Sequence, residues 1–142
     1  MKAMHLFGIF VFFCVAIACT AQVQRREDLG DGYDAAVIAK PSNSTFESIG
    51  FFQYLRYKEK ELCNLGYYEI SPDKRFVAFQ EGPTGTIFLL DKKERSQVAL
   101  VSKFPGLVRK FDWKAKDGFL KIEIYEKDAL LAPLPKKTGY PK

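Results

Sequence analysis

The chain has 142 residues, a formal charge of +5 and 47% apolar residues, with 13 Phe, 7 Tyr and one Trp but a single histidine. That length allows one modest hydrophobic core and is too short for two domains that each stand alone. The excess of positive charge is mild, so a solvated surface accounts for it as well as an anionic partner does.

The N-terminus carries Lys2, then an uncharged apolar run from Leu6 to Ala18, then small residues through Ala21, then polar Gln22. This order is that of a cleaved secretory signal over residues 1–21. At about 13 residues the run falls short of the roughly 20 that a membrane-spanning helix needs. Two processing sites compete. The segment Ala16-Ile17-Ala18-Cys19 resembles a bacterial lipobox, although Ala16 stands where that motif prefers Leu, Val or Ile. The resemblance implies lipidation of Cys19 and, with Thr20 rather than Asp behind it, an outer-membrane anchor. The rival cut, after Ala21, leaves Gln22 as the first residue of a periplasmic or secreted protein. Both place the product outside the cytoplasm, and both remove His5 and Cys14. A chain without histidine has no Ser-His-Asp or Cys-His catalysis, no histidine zinc site and no histidine pH switch. Cys63 is then without a disulfide partner unless cleavage falls ahead of an unmodified Cys19.

Residues 22–32 are polar and glycine-bearing and read as a flexible leader. Glu27, Asp28, Asp31 and Asp34 cluster there, but their spacing is not the alternate-position pattern of a calcium loop. Tyr33 to Ala39 is the first expected strand, ended by Lys40-Pro41. The following loop contains Asn43-Ser44-Thr45, an N-glycosylation pattern that matters only in a eukaryote. Over residues 46–63, Phe51, Leu55 and Leu62 share a helical face, and Gln53 to Leu62 is rich in helix formers, so a helix is expected. Gly50 and the Phe and Tyr content argue for a strand instead.

From Gly66 the chain reads as an antiparallel meander. Tyr67 to Ile70 is a strand, and Ser71-Pro72-Asp73-Lys74 is a turn with proline at its second position. Phe76, Val77, Ala78 and Phe79 are consecutive and apolar, which predicts a strand covered on both faces. Gly82-Pro83-Thr84-Gly85 turns the chain, since it lacks the Lys-Ser/Thr and the helix of a phosphate loop. Thr86 to Leu90 and Val98 to Val101 are strands. Leu107 to Trp113 alternates, with Leu107, Phe111 and Trp113 on one side. Lys116-Asp117-Gly118 is a hairpin turn, and in Phe119 to Glu126 the residues Leu120, Ile122 and Ile124 point inward. Residues 132–142, with three prolines and three lysines, form an extended tail. The expected fold is mainly β: a small antiparallel sheet or sandwich of 6–8 strands over residues 33–131, with one helix at 46–63.

Tyr68 to Phe76 echoes Phe111 to Phe119 at an offset of roughly 43 residues, within the ~40–45 of propeller blades. The turn Ser71-Pro72-Asp73-Lys74, the strand ending Ala78-Phe79 and the strand ending Leu90-Asp91 resemble a blade of the TolB type. Lys74 stands where that family usually has glycine. The resemblance spans residues 66–124 and implies local hairpin grammar alone, because a propeller needs four or more blades. It carries over no functional residue.

The candidate chemistry is sparse. Cys63 beside Leu62 and Leu65 reads as a small buried hydrophobe, since nucleophilic use would need a cationic neighbour in place of histidine. Glu47, Glu69, Glu81, Asp112 and Glu123 are available for paired-carboxylate chemistry, with no spacing that selects two of them. The basic and aromatic stretch from Lys103 to Lys121 is the most suggestive: Arg109, Lys110, Trp113, Lys114 and Lys116 form a candidate binding face. Simple alternation, with aromatics inward and lysines solvated, explains the same residues. No cofactor, metal or nucleotide motif is present. The expectation is a non-enzymatic binding or accessory protein of the cell envelope, an inhibitor or protective partner of another extracytoplasmic protein. Its partner would be a protein, or an anionic glycan or lipid surface. The alternatives are a small carboxylate-dependent glycan hydrolase and a structural lipoprotein anchored through Cys19.

Overall fold

A computed structural model describes residues 22–41, 49–114, 119–125 and 129–134. Within them the chain is all β. The strands are β1 (Gln22–Gly30), β2 (Tyr33–Pro41), β3 (Ile49–Tyr57), β4 (Lys60–Ile70), β5 (Phe76–Glu81), β6 (Ile87–Asp91), β7 (Ser96–Val101), β8 (Val108–Asp112), β9 (Phe119–Ile124) and β10 (Leu130–Pro133). β1 to β7 form one seven-stranded antiparallel sheet in sequence order, and β10, β9 and β8 form a second sheet of three.

Two sequence expectations are corrected. Residues 22–30 are not a leader but the edge strand β1, paired with β2 from Gln22↔Ala39 to Gly30↔Tyr33. The hairpin closes through Asp31 (φ 55) and Gly32 (φ 85). Positive φ at both central positions is what the right-handed twist of a two-residue hairpin demands, and Asp-Gly is among the pairs that supply it. The expected helix at 46–63 is likewise absent from 49–63: β3 and β4 run through it, joined by Lys58 (φ 47) and Glu59 (φ 69). Helix formers at that turn hid a hairpin whose pairing supplies more than local propensity. Residues 46–48, the Asn43 pattern and the Lys116-Asp117-Gly118 turn lie outside the described residues. So do residues 1–21 and all of the tail beyond Leu134, whereas Ala132 and Pro133 belong to β10.

The run Phe76-Val77-Ala78-Phe79 is buried on both faces, as its unbroken apolarity predicts. Its two faces serve two cores. Phe76 and Ala78, with Ile87 and Leu89 of β6, pack against Phe111, Leu120, Ile122, Ile124 and Ala132 of the small sheet. Val77 and Phe79, with Leu90, pack instead against Leu29, Tyr33, Ala35, Leu55 and Leu65. The N-terminal strands therefore curl across the back of β5 and β6, giving a three-layered arrangement from two sheets.

Polar contacts lock neighbouring strands together, and one of them, at Lys92, crosses the curl. Across β1–β3, on the face opposite Tyr33 and Ala35, Asp34 accepts from Arg56 Nε at 2.7 Å and Nη2 at 3.0 Å, and Arg26 Nε approaches it at 2.9 Å. Asp34 and Arg56 are buried, so either one left alone would be costly. The buried Lys92 donates through Nζ to the Leu29 carbonyl and sits 3.8 Å from Asp31, tying the end of β6 to the first hairpin. Asp91 accepts from Arg75 Nη2 at 2.7 Å and Nε at 3.1 Å, and from the backbone N–H of Lys93 and Glu94. These bonds, the arginine first, hold its carboxyl below the usual carboxylate range.

Candidate functional site

β4 pairs with β3 through Cys63 and Asn64 and with β5 through Tyr68 to Ile70, and its register breaks between Leu65 and Tyr68. The break falls at Gly66, where a Cβ would lie 2.8 Å from the Gln80 carbonyl oxygen. Only glycine lets the two backbones approach this closely. The bend turns Tyr67 and Glu69 toward the small sheet and opens a groove of about 950 Å³ between the β4 bend, the β5–β6 turn, the 104–107 loop and Tyr125.

The floor of this groove is the buried Gln80. Its Nε2 donates to the carbonyls of Gly85 at 3.2 Å and Gly106 at 2.7 Å, while its Oε1 accepts from Val108 N at 3.1 Å. One amide thus fixes the turn on one bank to the loop on the other, with most of its capacity satisfied. Gly82-Pro83-Thr84-Gly85 is a hairpin turn, closed by Gly85 N to the Glu81 carbonyl at 3.0 Å. The walls are aromatic and apolar. Tyr67 stacks on Phe111 at 5.8 Å between ring centroids, and Leu107 and Tyr125 stand at the mouth, 70% and 68% exposed.

Among the described residues three carboxylates belong to the groove, and each already has a donor. Glu69 accepts the backbone N–H of Phe111, Glu27 accepts Tyr68 Oη–H, and Glu81 accepts Thr84 Oγ1–H. Burial, reinforced by Glu69, raises the Tyr67 phenol, and burial with Glu27 does the same to Tyr68. Both therefore stay protonated donors across the physiological range. The chain carries 22 Lys and Arg, yet among the described residues neither type lines the groove.

The basic stretch is placed differently. Arg109 is exposed and bonded through Nη2 to Glu123 at 2.7 Å, and Lys110 stands across from the same Glu123 in the β8–β9 register. Lys114 is exposed in the turn after β8, and Lys116 lies outside the described residues. Trp113 packs against the first core. The register shift between Val108 and Lys110 makes Arg109 a bulge, so Val108 and Phe111 are the buried positions. Leu107, expected on the inner side, is exposed instead, because a bulge reverses the inward parity behind it. On β9 the alternation is as expected, with Leu120, Ile122 and Ile124 buried.

Of the five carboxylates singled out from sequence, Glu69 and Glu81 meet in the groove, Asp112 and Glu123 lie on the small sheet, and Glu47 is outside the described residues. Glu27, Gln80, Tyr67 and Tyr125 have no sequence signal that joins them, since residues so far apart in the chain meet only in the folded groove. Cys63 is half-buried against the second core, and burial, with Glu81 adding to it, pushes its thiol up to about 11. It is a protonated, packed thiol at neutral pH, not a thiolate nucleophile. Among the described residues no cluster of His, Cys, Asp and Glu could hold a metal ion, and no helix is long and apolar enough to cross a membrane. Comparisons with protein-family models, with curated proteins and with solved structures found no match to this chain.

Proposed function

We propose that this chain is a non-enzymatic binding or accessory protein of the cell envelope, and that the groove beside the β4 bend receives its partner. The observation that carries the reading is the groove's composition among the described residues: aromatic and apolar walls, three carboxylates and no lysine or arginine, in a protein of net positive charge. Exposed aromatic and aliphatic side chains at a concave mouth are good interface anchors. Carboxylates at such a place complement a cationic side chain and disfavour an anionic one. The partner is therefore a segment of another envelope or secreted protein that presents Lys or Arg within an extended stretch. An anionic glycan or lipid headgroup would go instead to Arg109, Lys110 and Lys114.

The sequence pattern of residues 1–21 supports export. Mass spectrometry of the N-terminus distinguishes Gln22 from a lipidated Cys19, and a lipidated residue would make the protein a tethered partner rather than a diffusing one.

A second reading, glycan hydrolysis, draws on the meeting of Glu69 and Glu81 in one aromatic groove. The engaged state of both carboxylates favours binding over proton transfer. The two readings separate on Glu81→Gln: a hydrolase loses turnover, whereas a binding protein retains its partner with modest weakening. The binding reading itself is tested by replacing Leu107 and Tyr125 together with alanine, which strips the mouth of the groove and leaves both cores intact.

A further inference from the structure

An edge strand offers unpaired N–H and C=O groups to any extended chain, and proteins usually blunt such edges with charge, proline, bulges or brevity. The described residues have four sheet edges: β1 and β7 in the larger sheet, β8 and β10 in the smaller. Three are blunted. β1 carries Arg25, Arg26, Glu27 and Asp28 in succession and two breaks in register. β8 is five residues long, bulged at Arg109 and charged at Arg109, Lys110 and Asp112. β10 has four residues and ends at Pro133.

β7 differs. Its sequence, Ser96-Gln97-Val98-Ala99-Leu100-Val101, contains no charge and no proline, and its irregularity falls at Leu100, near its far end. The stretch from Ser96 to Ala99 is exposed. Val98 stands directly across from Leu89 of β6, so it lies on the sheet face that carries the first core. Leu89 is buried there while Val98 is 41% exposed. Among the described residues β7 is thus the one edge with no charge, proline or central bulge; its Leu100–Val101 end packs against the first core and its Ser96–Ala99 end is exposed.

We infer that β7 is a self-association strand: two copies of this chain pair their β7 strands antiparallel about a two-fold axis at Val98, joining the two larger sheets into one. A two-fold axis perpendicular to a sheet requires facing residues of the same parity, and an axis at Val98 meets that requirement. It sets Val98 against its own copy and Gln97 against Ala99. No charge within the strand then meets a like charge, and each Val98 is covered by the other. A second copy is the fitting occupant because the edge is neutral and self-complementary, whereas a cationic or acidic strand would find no counter-charge on it.

Sedimentation velocity on the purified full chain, over a wide concentration range, tests this. The expected result is a monomer–dimer equilibrium that Val98→Lys, which sets two ammonium groups across the axis, weakens about tenfold or more while the far-UV circular dichroism stays unchanged. Val98→Cys gives a second arm that does not depend on the lysine variant: oxidation yields a disulfide-linked dimer joined at position 98, absent from the unsubstituted chain and from Val23→Cys on the β1 edge. A monomer at every concentration, a dimer that Val98→Lys leaves intact, or no linkage through position 98 would each overturn the inference.

Discussion

Lys74 occupies the left-handed region at φ 61, at the end of the turn in which Ser71 Oγ accepts from Phe76 N at 2.9 Å and Lys74 N donates to the Ser71 carbonyl at 2.8 Å. A lysine there carries a steric cost of about 1 kcal/mol that glycine does not. Lys74→Gly should therefore stabilise the protein by about 0.5–1 kcal/mol, read as a higher urea midpoint with unchanged slope. Asp91 makes the opposite kind of contribution. Its carboxyl is lowered from an ordinary value of 3.8, chiefly by Arg75, so the unfolded chain takes up the proton first. The stability it supplies is full above that ordinary value and fades as pH falls through the lower folded value. Asp91→Asn should be less stable than the unsubstituted protein by about 1–2 kcal/mol at neutral pH. The gap should hold down to about pH 5 and close in stronger acid, as measured by denaturant midpoints across that range.

At the scale of elements, β4 carries the site because it bends. Gly66→Ala places a methyl group 2.8 Å from the Gln80 carbonyl oxygen, a backbone atom that cannot swing away. The expected cost is about 1–3 kcal/mol, checked by thermal unfolding, with the groove's binding weakened more than stability alone explains because Tyr67 and Glu69 move with the bend. The same strand shows what the sequence discloses and what it conceals. The meander from Tyr67 to Val101 is legible because Pro72 and the Gly82-Pro83 pair punctuate it and because Phe76 to Phe79 announces burial on two faces. The β3–β4 hairpin is not, since Lys58 and Glu59 look like helix interior and take left-handed conformations only because the flanking strands pair. The first hairpin was legible in principle from Asp31-Gly32, but the exposed, polar β1 beside it has no alternation to betray a strand. The exposure of Leu107 is hidden from the sequence by a bulge, which shifts parity by one residue and leaves no mark in hydrophobic pattern.

For the whole molecule, the governing fact is that β5 and β6 are shared between two cores, so the curl of β1–β4 and the docking of the small sheet are set against one pair of strands. The groove lies along the seam where these two packings meet, held by Gln80 below and the β4 bend above. The basic stretch that dominates the sequence from Lys103 to Lys121 is divided by the fold: Phe111 and Trp113 turn toward the first core, and Glu123 answers Arg109. The acidic, aromatic groove, assembled from six separate segments among the described residues, is the more built of the two surfaces. Affinity capture from an envelope extract decides between them, comparing the unsubstituted protein, the Leu107→Ala/Tyr125→Ala variant and the Arg109→Glu/Lys110→Glu/Lys114→Glu variant. The groove account predicts a retained partner that disappears with the Leu107→Ala/Tyr125→Ala pair and persists when the three basic residues are reversed. A partner that survives loss of the groove mouth and is lost on reversal of the basic face would contradict it.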